Sequence, residues 1–205
     1  AGKYPLEIQK LYDKKFSILP TDGIATCGSC FAQHIGHRLK KKGFNFLDYE
    51  PAPTTLSRNL HVANGYGIYS ARYGNVYTAL QLKQLVQRSL GEQCFDEAWE
   101  VYDENGSLSG FVDPFRPNLT PTYFKSVEAM LADQANHLQQ VKKLFTELDV
   151  FIFTMGLTEC WYNKKTTAAY PIAPGVTAGR FDAETFGFIN MNYVQTVSYT
   201  HLRAH

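Results

Sequence analysis

A strand-turn-helix pattern over residues 24–43 constrains the fold more than any other part of this sequence. The apolar run from Ile24 to Thr26 stops at Cys27-Gly28-Ser29-Cys30, and apolar residues then recur at helical spacing as far as Gly43. A short apolar run at residues 44–47 predicts a second strand, and parallel pairing with the first strand requires the helix as its crossover. The order indicates an α/β protein with reactive side chains where the first strand ends.

This corner carries thiol and hydroxyl groups at the start of a helix. The unpaired N–H groups and the partial positive charge of a helix N-terminus favour a thiolate or an oxyanion over the neutral form. Cys27 lies inside the predicted strand, which favours a place in the core, whereas Cys30 lies at the helix start. The Cys-x-x-Cys spacing is also that of thioredoxin-like oxidoreductases, so thiol–disulfide exchange is an alternative interpretation.

Composition narrows the class of protein. The chain has 205 residues, of which 44% are hydrophobic and 19% are charged, and this suits one globular domain with a full-sized core. A formal net charge of +1 lacks the basic excess that nucleic-acid binding needs. Apolar runs such as residues 150–153 are far shorter than the roughly 20 residues that span a bilayer, so we expect no membrane span. Four cysteines are too sparse for a disulfide scaffold, which favours a reducing, cytoplasmic compartment.

The two ends of the sequence bear on the domain boundaries. No charged-then-apolar leader precedes Tyr4. The segment from Val197 to His205 is similar to a translated sequencing adapter, so His201 and His205 are left out of the site. We therefore expect a native domain over residues 1–196 that is incomplete at its C-terminus, followed by a non-native segment over residues 197–205.

The middle of the chain predicts a binding loop, two helices, a hairpin and another strand. Residues 51–75 are turn-rich, with interleaved glycines and tyrosines, as is typical of a binding loop. Thr78 and Ser126 can each cap a helix, the first running to about Leu90. Between these helices Asn105-Gly106 predicts a hairpin that joins residues 98–102 to 108–112. Residues 150–153 predict a central, fully buried strand.

Four segments at loops and corners resemble the GSCFA family. They are Gly28-Ser29-Cys30-Phe31-Ala32, residues 69–75, residues 112–117 and Gly156-Leu157-Thr158-Glu159. The family is similar to the SGNH, or GDSL-like, hydrolases. The resemblance implies a three-layer, flavodoxin-like α/β fold, with a parallel sheet, helices on both faces and an inserted β-hairpin.

The resemblance also implies a nucleophile. The Gly-Asp-Ser corner of the superfamily corresponds to Gly28, Ser29 and Cys30, so Cys30 takes the place of the nucleophilic serine. In the other register Ser29 is the nucleophile, and both remain candidates. The superfamily base is a His in an Asp-x-x-His segment, which this chain lacks before residue 197, so we expect the base in missing C-terminal sequence.

Further roles follow from the same resemblance. Gly156 and Thr158 correspond to the segment whose Asn helps build the oxyanion hole, and a Thr hydroxyl donates one hydrogen bond with less reach than an amide. A backbone N–H of Gly65 or Gly67 is a candidate for the further donor. Glu159 follows this segment and is a candidate for orienting a partner.

The implied activity is ester chemistry on a small-molecule or carbohydrate acyl ester, by an esterase or acyltransferase that forms a covalent acyl-enzyme. Arg72 and Arg116 lie in aromatic loops, and we hypothesise that one of them holds an anionic or hydroxyl group of the substrate. This chemistry needs neither a metal nor an organic cofactor, and His34 and His37 lack a third metal ligand. The competing class is a non-catalytic polysaccharide-binding or assembly protein.

Overall fold

The computed structural model describes residues 13–200 of the chain. Predictions about Tyr4 and the start of the chain, and about His201 and His205, lie outside this range. Strand β1, Ile24–Gly28, is fully buried, and helix α1, Cys30–Lys41, follows it after one residue. Gly43, with φ of 75°, takes the left-handed conformation in the turn after the helix, and this confirms the predicted strand-turn-helix unit.

β1 pairs in parallel with β4, Val150–Thr154, from Ile24 opposite Val150 to Gly28 opposite Thr154. The prediction of a second strand at residues 44–47 is wrong in extent. Only a parallel bridge between Ile24 and Phe46 forms there, and by Tyr49 the backbone N–H bonds to the carbonyl of Ser70 and no longer to β1. The prediction that residues 150–153 are central and fully buried is also wrong: each is partly exposed, since β1 is the only described strand that pairs with β4.

Two long helices begin at the predicted caps. α2, Ala79–Leu90, starts with a capping box in which Thr78 Oγ1 accepts from the Gln81 N–H at 3.2 Å. α3, Val127–Glu147, starts at Ser126, whose hydroxyl oxygen accepts from the Ala129 N–H at 3.2 Å. Both N-terminal positions predicted from the sequence are therefore confirmed.

The other strands form antiparallel sheets. β2, Trp99–Tyr102, pairs with β3, Leu108–Val112, across the predicted Asn105-Gly106 turn. A second sheet, in the order β6-β5-β7, consists of β5 (Glu159–Asn163), β6 (Ala169–Tyr170) and β7 (Phe186–Asn190), and the sequence analysis did not predict it. Helix α4, Tyr193–Thr200, includes residues 197–200 of the segment interpreted as non-native.

The core has two main parts. One contains Ala25 and Cys27 of β1 with Val141 and Leu144 of α3, and the other surrounds Trp99 and Tyr170. The fold is thus a mixed α/β fold of helices and small sheets, and the parallel sheet has two paired strands. Among residues 13–200, none of the helices combines the length and the apolar character needed to cross a membrane.

Candidate functional site

The end of β1 is a tight corner that requires glycine. Gly28 has φ of 137°, and a Cβ atom there would lie 2.4 Å from the carbonyl oxygen of Thr154. The Gly28 carbonyl accepts from the Val76 N–H at 3.0 Å, which brings the end of the 51–75 loop to the corner. The corner is therefore held by β4 and by this loop.

Ser29 and Cys30 differ in their surroundings. Ser29 is half-buried, its N–H donates to the Thr154 carbonyl at 3.1 Å, and its Oγ lies 3.3 Å from Thr154 Oγ1. It occupies the N-cap of α1, yet its side chain makes no capping bond. Cys30 is the first residue of α1 and has an exposed free thiol. The first turn of α1 contains no acidic side chain, so its positive helix end is not offset locally.

Cys27 makes a poor partner for thiol exchange with Cys30. Its side chain is fully buried in β1 and neither cysteine forms a disulfide. Burial raises the pKa of the Cys27 thiol strongly, against smaller opposing effects of hydrogen bonds from Tyr73 and Gly28. Exchange requires an accessible thiolate, so these surroundings count against the oxidoreductase alternative.

The predicted oxyanion residues Gly156 and Thr158 both lie in the loop after β4, but they contact different parts of the protein. Gly156 packs on Ser29, since a Cβ at Gly156 would lie 3.0 Å from Ser29 Cβ, and its N–H donates to the Tyr77 carbonyl at 2.9 Å. Thr158 instead donates its hydroxyl to Asn190 Oδ1 at 2.8 Å. Glu159 begins β5 in register with Asn190. The structure thus brings Gly28, Ser29 and Gly156 together, while the side chain of Thr158 bonds to β7.

A cleft of about 140 Å³ lies beside this corner. Gln33, one turn along α1 from Cys30, donates to the Tyr69 hydroxyl at 3.0 Å, and that hydroxyl donates to Asn75 Oδ1. These three side chains and Tyr77 line the cleft, whereas Ser29 and Cys30 do not. Gly156 lies close to both Ser29 of the corner and the Tyr77 ring, which lines the cleft, so the corner and the cleft are neighbours.

The two glycines predicted as further oxyanion donors, Gly65 and Gly67, also lie in different places. Gly65 lines the cleft and contacts Leu119. Gly67 is exposed, and its carbonyl accepts from Lys40 Nζ at 3.4 Å. Sequence reasoning missed Gly74 and Asn75, which line the cleft directly before the bond from Val76 to the corner. The sequence feature that could have identified them is the Gly-Asn pair itself, which is typical of a turn and lies just before the Thr78 helix cap.

Arg72 is largely occupied by the protein itself. Its Nε donates to the Asn64 carbonyl at 3.0 Å, its guanidinium lies over the Tyr66 ring, and its Nη1 lies 3.6 Å from Asp133. Its backbone N–H donates to Glu50 Oε2 at 2.6 Å. Arg72 therefore links the binding loop to a buried group of charges.

Arg116 is the centre of that group. Its side chain is 2% exposed, its Nε donates to Asp113 Oδ2 at 2.7 Å, and its Nη2 donates to Asp133 Oδ2 at 2.7 Å. Burial alone would lower the pKa of Arg116, but Asp113 and Asp133 outweigh burial and raise it. For Asp113, burial opposes ionisation, while Arg116 and Arg88 lower the pKa below its usual range. Arg116 also lines the cleft.

Glu50 and His137 form a buried carboxylate–imidazole pair that sequence reasoning missed. His137 Nδ1 lies 2.6 Å from Glu50 Oε2, and both side chains are almost inaccessible. Burial, aided by the charge of Arg116, lowers the pKa of His137. Burial opposes ionisation of Glu50, but the hydrogen bond and charge of His137 and the Arg72 N–H outweigh it and lower the Glu50 pKa. The sequence feature that could have identified His137 is helical spacing, which places Gln134 and His137 on the same face of the helix as the apolar Met130, Val141 and Leu144.

His34 and His37 are both exposed on α1. Within residues 13–200, no three His, Cys, Asp or Glu side chains are grouped so that they could hold a metal ion.

The chain belongs to the GSCFA family, whose model matches residues 23–205. This confirms the resemblance carried by the corner, the loop and the segment after β4. No curated protein and no solved structure matches the chain.

Proposed function

We propose that this protein is an SGNH-like esterase or acyltransferase that acts on acyl esters of carbohydrates through a covalent intermediate on Cys30. The observation that carries the proposal is the exposed thiol of Cys30 at the start of the twelve-residue helix α1, directly after the buried β1. The helix end stabilises negative charge on sulfur and on an oxyanion held nearby. The proposal also includes a more detailed fold than the one described above: a three-layer domain with a longer parallel sheet.

The chemistry has two steps. The Cys30 thiolate attacks the ester carbonyl carbon, a C–S bond forms, and the carbonyl electron pair moves to oxygen. Collapse of this tetrahedral species breaks the C–O bond, and the departing alcohol takes up the proton that the thiol lost. Water or an acceptor hydroxyl then attacks the thioester carbonyl carbon, the C–S bond breaks, and the proton lost by the attacking group returns to the sulfur and restores the thiol.

Several groups support this assignment by their places around the corner. The Cys30 N–H and the backbone N–H of Gly74 are candidate oxyanion donors. The Gly156 N–H would serve only after leaving the Tyr77 carbonyl, and Thr158 only after leaving Asn190. Gly65 and Gly67 remain candidates, of which Gly65 lines the cleft. Both arginines bond to other groups of the protein, but Arg116 is the better placed for a substrate group, because it lines the cleft and Arg72 does not.

Hydrolysis of a chromogenic acetyl ester and of acetylated oligosaccharides tests the nucleophile. We expect Cys30→Ala to lower kcat/KM by about a thousandfold or more, and Ser29→Ala to lower it by less than about tenfold. Cys94→Ala is the matched control, because Cys94 is the other exposed cysteine and lies far along the chain in a loop. Full turnover by Cys30→Ala would eliminate Cys30 as the nucleophile, and loss confined to Ser29→Ala would transfer the role to Ser29.

A carbohydrate-binding module is the second candidate, favoured by one observation. Ser29 and Cys30 do not line the cleft, whereas the aromatic rings of Tyr69, Tyr77 and Phe115 do. Tyrosine rings and neighbouring amides suit sugar rings and hydroxyls. Binding of oligosaccharides without turnover, unchanged by Cys30→Ala, would favour this candidate over the enzyme.

A further inference from the structure

Behind the cleft lies a second, smaller cavity of about 30 Å³. Asn75, Phe115, Arg116 and Pro171 line both spaces, so the small cavity adjoins the inner wall of the larger one. A cavity needs roughly 10–15 Å³ of such space to hold one water molecule. The small cavity therefore has room for about two oxygen-sized groups.

Three buried nitrogens without hydrogen-bond partners belong to residues that line this cavity. They are Arg88 Nη2, Arg116 Nη1 and His137 Nε2. Each of these residues is more than nine-tenths buried. Buried polar groups without partners are rare in folded proteins because each has lost its hydrogen bonds to water, at a higher cost when it is charged. Two unpartnered guanidinium donors on residues that line one cavity suit a group that accepts hydrogen bonds.

Arg88 lacks the carboxylates that serve its neighbours. Asp113 and Asp133 both bond to Arg116, and Glu50 bonds to His137. Glu97, which also acts on Arg88 through its charge, bonds to Tyr170 and Thr166. Among the residues that the structure describes, Arg88 forms no ion pair, and its guanidinium stacks 3.6 Å from the Phe115 ring centroid. Asp113 and Glu97 act on Arg88 through their charges but neither bonds to it directly. A buried cation without a direct ion pair is costly, so an anion from outside the chain would stabilise it.

We propose that this cavity is a carboxylate-binding subsite, in which Arg88 and Arg116 hold the two oxygens of a carboxylate on a ligand that extends into the cleft. Space for about two oxygens, and one unpartnered guanidinium nitrogen from each arginine, suit the two oxygens of a planar carboxylate better than a tetrahedral phosphate or sulfate. The inference deepens the proposed function and depends on it in one respect: the carboxylate belongs to the ester substrate, which is therefore an acidic acyl ester.

Thermal unfolding with sodium acetate as the probe, at constant ionic strength, tests the subsite without any turnover. We expect a saturable rise in Tm with acetate that exceeds the effects of chloride and sulfate. Arg88→Met should weaken acetate binding by about tenfold or more, as expected for a lost charged hydrogen bond. Its Tm without acetate should stay the same or rise, because it removes a buried charge that has no direct ion pair. A structural role alone would instead lower the Tm in the absence of acetate.

Two further variants complete the test. Arg180→Met is the matched control, because Arg180 also stacks on an aromatic ring, that of Tyr102, but is exposed and away from the cavity. Arg88→Lys keeps the charge without the fork, and should also weaken acetate binding. Equal stabilisation by chloride or sulfate, or unchanged acetate affinity in the Arg88 variants, would overturn the subsite. Cys30→Ala should bind acetate as the unmodified protein does, so an unmodified protein that binds acetate but turns over no ester would refute only the proposed function.

Discussion

The corner at Ser29 and Cys30 and the buried charge group around Arg116 are built in opposite ways. Three consecutive residues and one helix start make the corner, and its thiol is open to solvent. The charge group around Arg116 combines residues of four separate segments, and all of them are buried except Asp133, which is 26% exposed: Glu50, Arg72, Asp113, Asp133 and His137. The comparison shows a division of roles. The corner, with its solvent-exposed thiol, lies beside the binding loop, and the buried charge group holds that loop through Arg72.

The largest expected effect is on the buried group. Asp113→Asn removes the charge that faces Arg116 at 2.7 Å, and leaves a buried guanidinium with Asp133 as its main partner. We expect the free energy of unfolding to fall by about 3–5 kcal/mol, measured by urea denaturation. Asp103→Asn, in the exposed hairpin turn, is the control and should change it by less than about 0.5 kcal/mol. A small effect of Asp113→Asn would show that the network does not support the fold.

A smaller effect is expected at the corner itself. Gly28→Ala forces a side chain into a backbone of φ 137°, which costs roughly 1–2 kcal/mol, and the overlap with the Thr154 carbonyl adds roughly 1–3 kcal/mol. Gly43→Ala has a similar backbone cost, but a Cβ there meets no atom within 4 Å. Urea denaturation should therefore show Gly28→Ala as clearly the more destabilised of the two variants. If both variants lost the same free energy of unfolding, β4 would have to move away from β1 to accommodate the methyl group that Gly28→Ala adds.

The smallest effect concerns pH. The pKa of His137 is lowered below 6.5 in the folded protein, so the unfolded chain binds its proton more readily. Stability from this group is complete above that pH and is lost as the pH falls towards the folded-state pKa, by at most about 1.4 kcal/mol per pH unit. Urea midpoints compared between about pH 7 and pH 5 should show this slope in the unmodified protein and not in His137→Gln. The exposed His34 provides the control, since His34→Gln should retain the slope.

The strand-turn-helix corner could be predicted because the sequence features that define it lie within a few residues of one another. Capping residues, helical spacing and a turn pair act within a few residues, and α1, α2, α3 and the hairpin begin near the predicted positions. The pairing of β4 was not predictable in this way. An apolar run suits a central strand and an edge strand equally, and only the number of neighbouring strands decides its exposure.

The charge group and the cavity depend on tertiary packing. Asp113 follows a hairpin and Asp133 lies on α3, yet both bond to Arg116, and no spacing rule joins them. His137 was missed because a histidine in an amphipathic helix is equally compatible with either face. The place of Cys30 in catalysis stays a prediction, whereas the exposure of its thiol is observed.

The uneven accessibility of the cysteines has a practical consequence. Cys27 and Cys160 are sealed inside the protein, and Cys30 and Cys94 face solvent. A chain with Cys94→Ser would therefore keep a single sulfur that maleimide dyes or nitroxides can reach. A probe attached there would sit one helical turn from Gln33, and its emission or spin mobility would register molecules entering or leaving the neighbouring cleft.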